Sequence, residues 1–204
     1  PLASSRAMAM RLQEVHPSLV HYPLAFLPLA VVTDTLGYLG RNRWLLKAGR
    51  WTTLLAAASA AAAGTAGLVA QEEVAAEGKA RDMLVTHRTL NMALTLTTAL
   101  LAAWRWRRRA PTPVSLAIGA VGLGVMSYSA YLGGKMVYEH GVGVMPALGV
   151  KPGRGRLLRA GELDDAAVEI RDGVKHAAAD AARGDFLPHV TNGREHEPGD
   201  EVGY

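Results

Sequence analysis

The sequence predicts an all-α integral membrane protein, a four-helix bundle followed by a polar C-terminal tail, partly helical or extended. Three observations predict it. Half of the 204 residues are hydrophobic, and nearly all the long apolar runs fall within residues 19–137. Four of those runs approach the roughly 20 residues that a helix needs to cross a bilayer. None shows the polar face that a helix of a soluble bundle requires. The formal net charge of +4 is concentrated in two short clusters between apolar runs, a pattern of membrane topology rather than of nucleic-acid binding. The absence of cysteine excludes disulfides, iron–sulfur clusters, c-type haem attachment and thiolate zinc sites.

The elements follow in order. Residues 1–18 form a short polar lead with no apolar core of its own, so no cleavable signal peptide is expected. Span 1 covers residues 19–39. Pro23 lies in its first turn, where a missing N–H costs little, and Pro28 is expected to kink it. Asp34 sits inside this span as a proton relay, as a partner of neighbouring hydroxyls, or as the partner of an arginine from a connection. Span 2, residues 51–70, is alanine-rich ("LLAAASAAAAGTAGLVA") and only weakly apolar. It belongs inside the bundle, with Gly64 and Gly67 permitting close approach. Span 3, residues 87–104, opens on His87. Span 4, residues 114–137, contains "GAVGLG", which calls for nothing beyond tight helix contact.

The connections orient these spans. The first carries Arg41, Arg43, Lys47 and Arg50, the third carries Arg105, Arg107, Arg108 and Arg109, and neither holds an acid. The second is mixed, with Glu72, Glu73, Glu77 and Asp82 against Lys79 and Arg81. The positive-inside rule places the two basic connections in the cytoplasm. Both termini then face outward across a bacterial inner membrane. Trp44, Trp51, Trp104 and Trp106 fall near the inner interface as an aromatic belt. The expected organisation is an outer lead (1–18), a membrane domain (19–146) and an outer tail (147–204). Within the tail, Leu163, Ala166, Ala167, Ile170 and Val174 are spaced as the apolar face of one helix. Such a tail has no core of its own, which points to other subunits of a membrane complex as its partners. His176, His189 and His196 show no ligand spacing and are expected to be solvated.

Four histidines lie in or beside the spans: His16 and His21 in "HPSLVHYP", His87 in "VTHRTLN" and His140 in "VYEHG". The predicted topology puts all four at the outer end. Imidazole is the commonest metal ligand, and bundles build cofactor sites from side chains on several helices. Haem b needs two axial ligands from different helices. His16 and His21 lie too close along one chain to sandwich a ring, so the expected pair is His21 with His87 or His140, His87 being preferred. Gly133 and Gly134 would leave room for the ring, and Arg88 and Lys135 would meet propionates. Zinc or copper would use the same four histidines with a nearby glutamate.

"HPSLVHYPLAF", His87 with Asn91 one turn on, and "YLGGKMVYEHGVGV" together resemble the DUF2231 family of predicted bacterial membrane proteins. The resemblance covers about residues 14–146. Some members of that family carry a Rieske iron–sulfur domain after the spans, which implies membrane electron transfer. This chain has no cysteine for such a cluster. The leading expectation is therefore a membrane subunit with an outward-facing histidine site for haem b, acting in electron transfer or as an accessory subunit of a respiratory or photosynthetic complex. The alternatives are a cofactor-free structural subunit that binds partners through its tail, and an outer-face zinc or copper protein. No nucleophile–base constellation or phosphate loop marks an enzyme, and no soluble small-molecule substrate or nucleic acid is indicated.

Overall fold

A computed structural model describes residues 12–144 and 163–184. The described chain is helical: α1 (Leu12–Leu19), α2 (His21–Leu39), α3 (Arg43–Glu73), α4 (Gly78–Arg107), α5 (Pro113–His140) and α6 (Leu163–Ala182). The boundaries follow local chemistry. Pro23 has no N–H to offer Leu19, and the helix is interrupted at Val20 between α1 and α2. Pro28 lies inside α2 without ending it. The Asn42 side chain caps α3 by accepting from the Trp44 and Leu45 amides, satisfying donors that a helix start leaves open. Thr112 and Ser115 form a reciprocal capping box at α5, with Pro113 as its first residue. Gly141 ends α5 in the left-handed region at φ 64°, a conformation that costs glycine nothing.

Among the described residues three helical segments are long and apolar enough to cross a membrane: Glu14–Leu39, which joins α1 and α2, Arg43–Glu73 and Pro113–His140. The third expected span, α4, has 30 residues but is diluted by His87, Arg88, Asn91 and several threonines. The bundle closes around α3, which packs on α1, α2, α4 and α6, while α5 packs on α4 and α2. Small residues allow this: Ala56 and Ala63 are buried, and a methyl group at Gly49 would overlap Asp34. A Cβ at Gly119 would meet Val31 Cγ2 at 3.0 Å.

Several polar groups of the helices are turned inward while many large apolar ones are turned outward. Asp34, Thr53, Thr98, Arg105, Ser115 and Ser129 are buried, whereas Val32, Leu36, Leu96, Leu100 and Val121 are half or more exposed. In water such a surface would be an association hazard; in lipid it is the low-energy arrangement. The chain is an all-α membrane protein.

Asp34 and Arg105 answer one question that the sequence left open. Arg105 Nε and Nη2 donate to the two Asp34 carboxylate oxygens, each at 2.7 Å. Nη2 also reaches the Leu46 carbonyl at 2.7 Å, and Nη1 reaches that of Arg108 at 2.9 Å. Every charged oxygen therefore has a donor, as a buried pair requires. Of the three roles open to Asp34, the arginine pairing is the one formed. Arg105 belongs to the last turn of α4 rather than to the connection.

The tail helix departs from expectation. Of the expected face of Leu163, Ala166, Ala167, Ile170 and Val174, the first two side chains lie outside the described ones, Ile170 is partly buried, and Ala167 and Val174 are exposed; α6 instead buries Glu169, Gly173, Ala177 and Asp180. Val168 and Val174 are 45% and 48% exposed. The reason is the surface it meets, the polar ends of α3 and α4 in this same chain. Gln71 Nε2 donates to the Gly173 carbonyl at 3.2 Å. Arg88 Nη2 pairs with Asp180 Oδ2 at 2.5 Å. His176, expected to be solvated, has Nδ1 3.1 Å from Glu72 Oε1. Glycine is required at Gly173, where a Cβ would stand 2.7 Å from the Leu68 carbonyl oxygen. His189 and His196 lie outside the described residues.

Candidate functional site: a histidine pair at one end of the bundle

His16, His21, His87 and His140 all fall at the end of the bundle opposite the two basic connections, but only two of them meet. His16 on α1 and His87 on α4 lie with ring centroids 6.3 Å apart and planes at 87°. His16 Nδ1 is 2.8 Å from the Ala63 carbonyl of α3. A carbonyl can only accept, so this nitrogen carries the proton and Nε2 is left with its lone pair. His87 repeats the arrangement on α5: its Nδ1–H is 2.8 Å from the Ser129 carbonyl and 3.0 Å from the Ser129 hydroxyl. Asn91 holds that hydroxyl, donating from Nδ2 at 2.6 Å, and also donates to the His87 carbonyl at 2.7 Å. Ser129 is 1% exposed.

Two glycines make room for the rings. A Cβ at Gly67 would lie 3.1 Å from His16 Cε1 and Nδ1, and one at Gly133 would lie 3.3 Å from His87 Cε1. Gly134 and Gly64 are not constrained by the pair: nothing stands within 4 Å of a Cβ at Gly134, and Gly64 faces Thr95 at 3.7 Å. Four helices thus contribute, α1 and α4 the imidazoles and α3 and α5 the carbonyls and the space.

His21 and His140 are exposed and do not join the pair. Arg88 is engaged by Asp180 and by the Gln71 Oε1 oxygen at 3.2 Å. Lys135 lies 3.2 Å from Glu139 and 5.6 Å from the centre of the Tyr131 ring. Among the described residues no group of three or more histidine and acidic side chains is placed to hold a metal ion. Sequence reasoning named His87 but chose His21 as its partner, and it did not single out Ser129. His16 is among the four candidates of the sequence, and Gly67, expected to serve helix packing, is the glycine that faces it.

Residues 13–146 match the family described as "Predicted membrane protein (DUF2231)". The chain belongs to this family. The match covers α2 to α5, nearly all of α1, and therefore the whole histidine pair; α6 lies beyond it. No curated protein and no solved structure matched the chain. As a DUF2231 protein it is a membrane protein in contact with the lipid bilayer, in accord with its outward apolar surface.

Proposed function

We propose that His16 and His87 are the axial ligands of a haem b in a multi-pass protein of the bacterial inner membrane, and that the protein transfers electrons at the outer face. The observation that carries this reading is the pair itself. Two imidazoles from different helices each have Nδ1–H fixed on a backbone carbonyl, the outer hydrogen bond by which proteins orient a ligating histidine. His16 and His87, with ring centroids 6.3 Å apart, would hold the group between them. The donor set favours haem over zinc. A zinc site takes three or four protein ligands, whereas a porphyrin supplies four nitrogens and asks the protein for two. Bound iron would supply one-electron chemistry, and the chain's part is to hold the imidazoles and exclude water from between them. Ligands at one end cannot relay electrons across the bilayer, so exchange is with outer-side carriers or quinone, in an accessory subunit of a respiratory or photosynthetic assembly. The positive-inside rule, applied to the two basic connections, supports an outer position for that end.

The test is a reduced-minus-oxidised spectrum of the purified protein. A Soret band is expected in the wild type, in His21→Ala and in His140→Ala, and is lost in His16→Ala and His87→Ala. A wild type with no Soret band, or a band that survives His87→Ala, overturns the reading.

One observation favours a second reading. Each Nδ1–H bond joins two helices, α1 to α3 and α4 to α5, which supports a reading of the two histidines as cofactor-free clamps in place of ligands. In that case metal and porphyrin analyses are negative and His87→Gln, which keeps an N–H donor, preserves thermal stability where His87→Ala lowers it. Stoichiometric zinc or copper without porphyrin would instead assign the pair to metal binding.

A further inference from the structure

The end of the bundle opposite the histidines carries a cation surplus that the fold does not use. Residues 41–50 and 105–109 hold eight cations and no acid. One of the eight, Arg105, is neutralised by Asp34, which leaves seven. The packing of α3 on α4 brings the two clusters together. Arg50 Nη2 donates to the Trp106 carbonyl at 2.8 Å, and its guanidinium stands 4.3 Å above the Trp106 ring. Arg43, Lys47 and Arg50 are spaced at four and three residues, which places them on one face of α3. That face therefore runs beside the end of α4, where Arg107, Arg108 and Arg109 are exposed, as are Arg43 and Lys47. Arg108 in turn lies 5.4 Å over Trp104, and Trp51 meets Trp106 edge to face at 5.9 Å. Two of the cations, Arg50 and Arg108, are thus mounted on tryptophans, and Trp44, Trp51 and Trp106 are themselves half or more exposed.

We propose that this basic, tryptophan-lined end is a binding site for the headgroup of an anionic phospholipid. The charge is complementary, and a guanidinium presents the fork of donors that a phosphate accepts. Indole rings occupy the depth at which headgroups meet acyl chains, so cation and ring can engage one lipid together. The N-termini of α3 and α5 at the same end add partial positive charge of their own. Basic pockets between membrane helices take anionic headgroups in this manner. The inference does not depend on any cofactor at the other end.

The chain provides its own probe, because all four of its tryptophans lie at this end. The full protein is reconstituted in phosphatidylcholine vesicles containing a minor fraction of brominated phosphatidylglycerol or of brominated phosphatidylcholine. Tryptophan quenching is expected to be several-fold greater for the anionic lipid at equal mole fraction, and to fall with 0.5 M salt. The triple variant Arg43→Gln/Lys47→Gln/Arg108→Gln, which leaves four of the seven cations, is expected to cut the anionic preference markedly, since each cation contributes roughly fivefold in affinity for an anionic surface. Equal quenching by both lipids in the wild type overturns the proposal. So does an anionic preference that persists undiminished in the triple variant, or one abolished by millimolar inorganic phosphate, which would make the ligand a free anion.

Discussion

At the residue scale the most informative contact is the Asp34–Arg105 pair, because both charges are buried in the bundle. The Arg105 side chain is 2% exposed and that of Asp34 9%. Removing the carboxylate in Asp34→Ala strands a guanidinium in the bundle, which costs about 3–5 kcal/mol. Replacing both partners with leucine removes the attraction and the desolvation penalty together, and such swaps are often close to neutral. Denaturant titration of the purified protein should therefore find the single variant far less stable than the Asp34→Leu/Arg105→Leu double. A single variant within about 1 kcal/mol of wild type would show that the pair carries little of the coupling between α2 and α4. Sequence inspection could see an acid in a span and arginines beyond another. It could not choose among the arginines, because the choice depends on α4 continuing through Arg105. The histidine pair was partly legible for the same kind of reason. Hydropathy placed His16 and His87 at one end of the bundle. Which of His16 and His21 turns inward depends on the break at Val20, which no periodicity encodes.

At the element scale, α6 shows where amphipathic patterning fails. The pattern finds the apolar stripe of a helix on the assumption that its docking surface is apolar. Here the surface consists of Gln71, Glu72 and Arg88, so the buried stripe is Glu169, Gly173, Ala177 and Asp180. Arg88 and Asp180 are 11% and 5% exposed as side chains, and Asp180 also accepts from Arg183. Asp180→Ala leaves Arg88 half-enclosed without its carboxylate, at a cost of about 3 kcal/mol to the docked state. Hydrogen exchange read by mass spectrometry should then quicken across residues 163–182, while α3 and α5 keep their protection. Unchanged exchange in α6 would mean that the backbone contact of Gly173 on Leu68, rather than the charge pair, holds the helix. The candidate spans were legible because lipid asks only for length and apolarity, and α3, α5 and the segment joining α1 and α2 meet both demands.

At the scale of the whole molecule the path of α4 decides on which side the histidine pair lies. By composition α4 falls short of the other three segments. By length it does not: 30 residues at about 1.5 Å each extend roughly 45 Å, beyond the roughly 30 Å hydrocarbon core. Its polarity is also smaller than its composition implies. Thr86 and Thr98 return their hydroxyl protons to the carbonyls of Asp82 and Leu94, at 2.8 and 2.7 Å, so they present little to lipid. Asn91 is occupied by Ser129 and His87, and α3 and α5 flank the helix. If α4 spans, the connection at Glu77 and that at Ala110 lie on opposite faces of the membrane, and the positive-inside rule puts Ala110 in the cytoplasm. The absence of cysteine makes the experiment direct. Glu77→Cys and Ala110→Cys, each at an exposed position, are treated in intact cells with a membrane-impermeant maleimide. Glu77→Cys should label at once and Ala110→Cys only after permeabilisation, which puts the histidine pair on the outer face. The reverse pattern would move the pair, and any electron exchange there, to the cytoplasmic side. Labelling of both from one side would show that α4 does not cross.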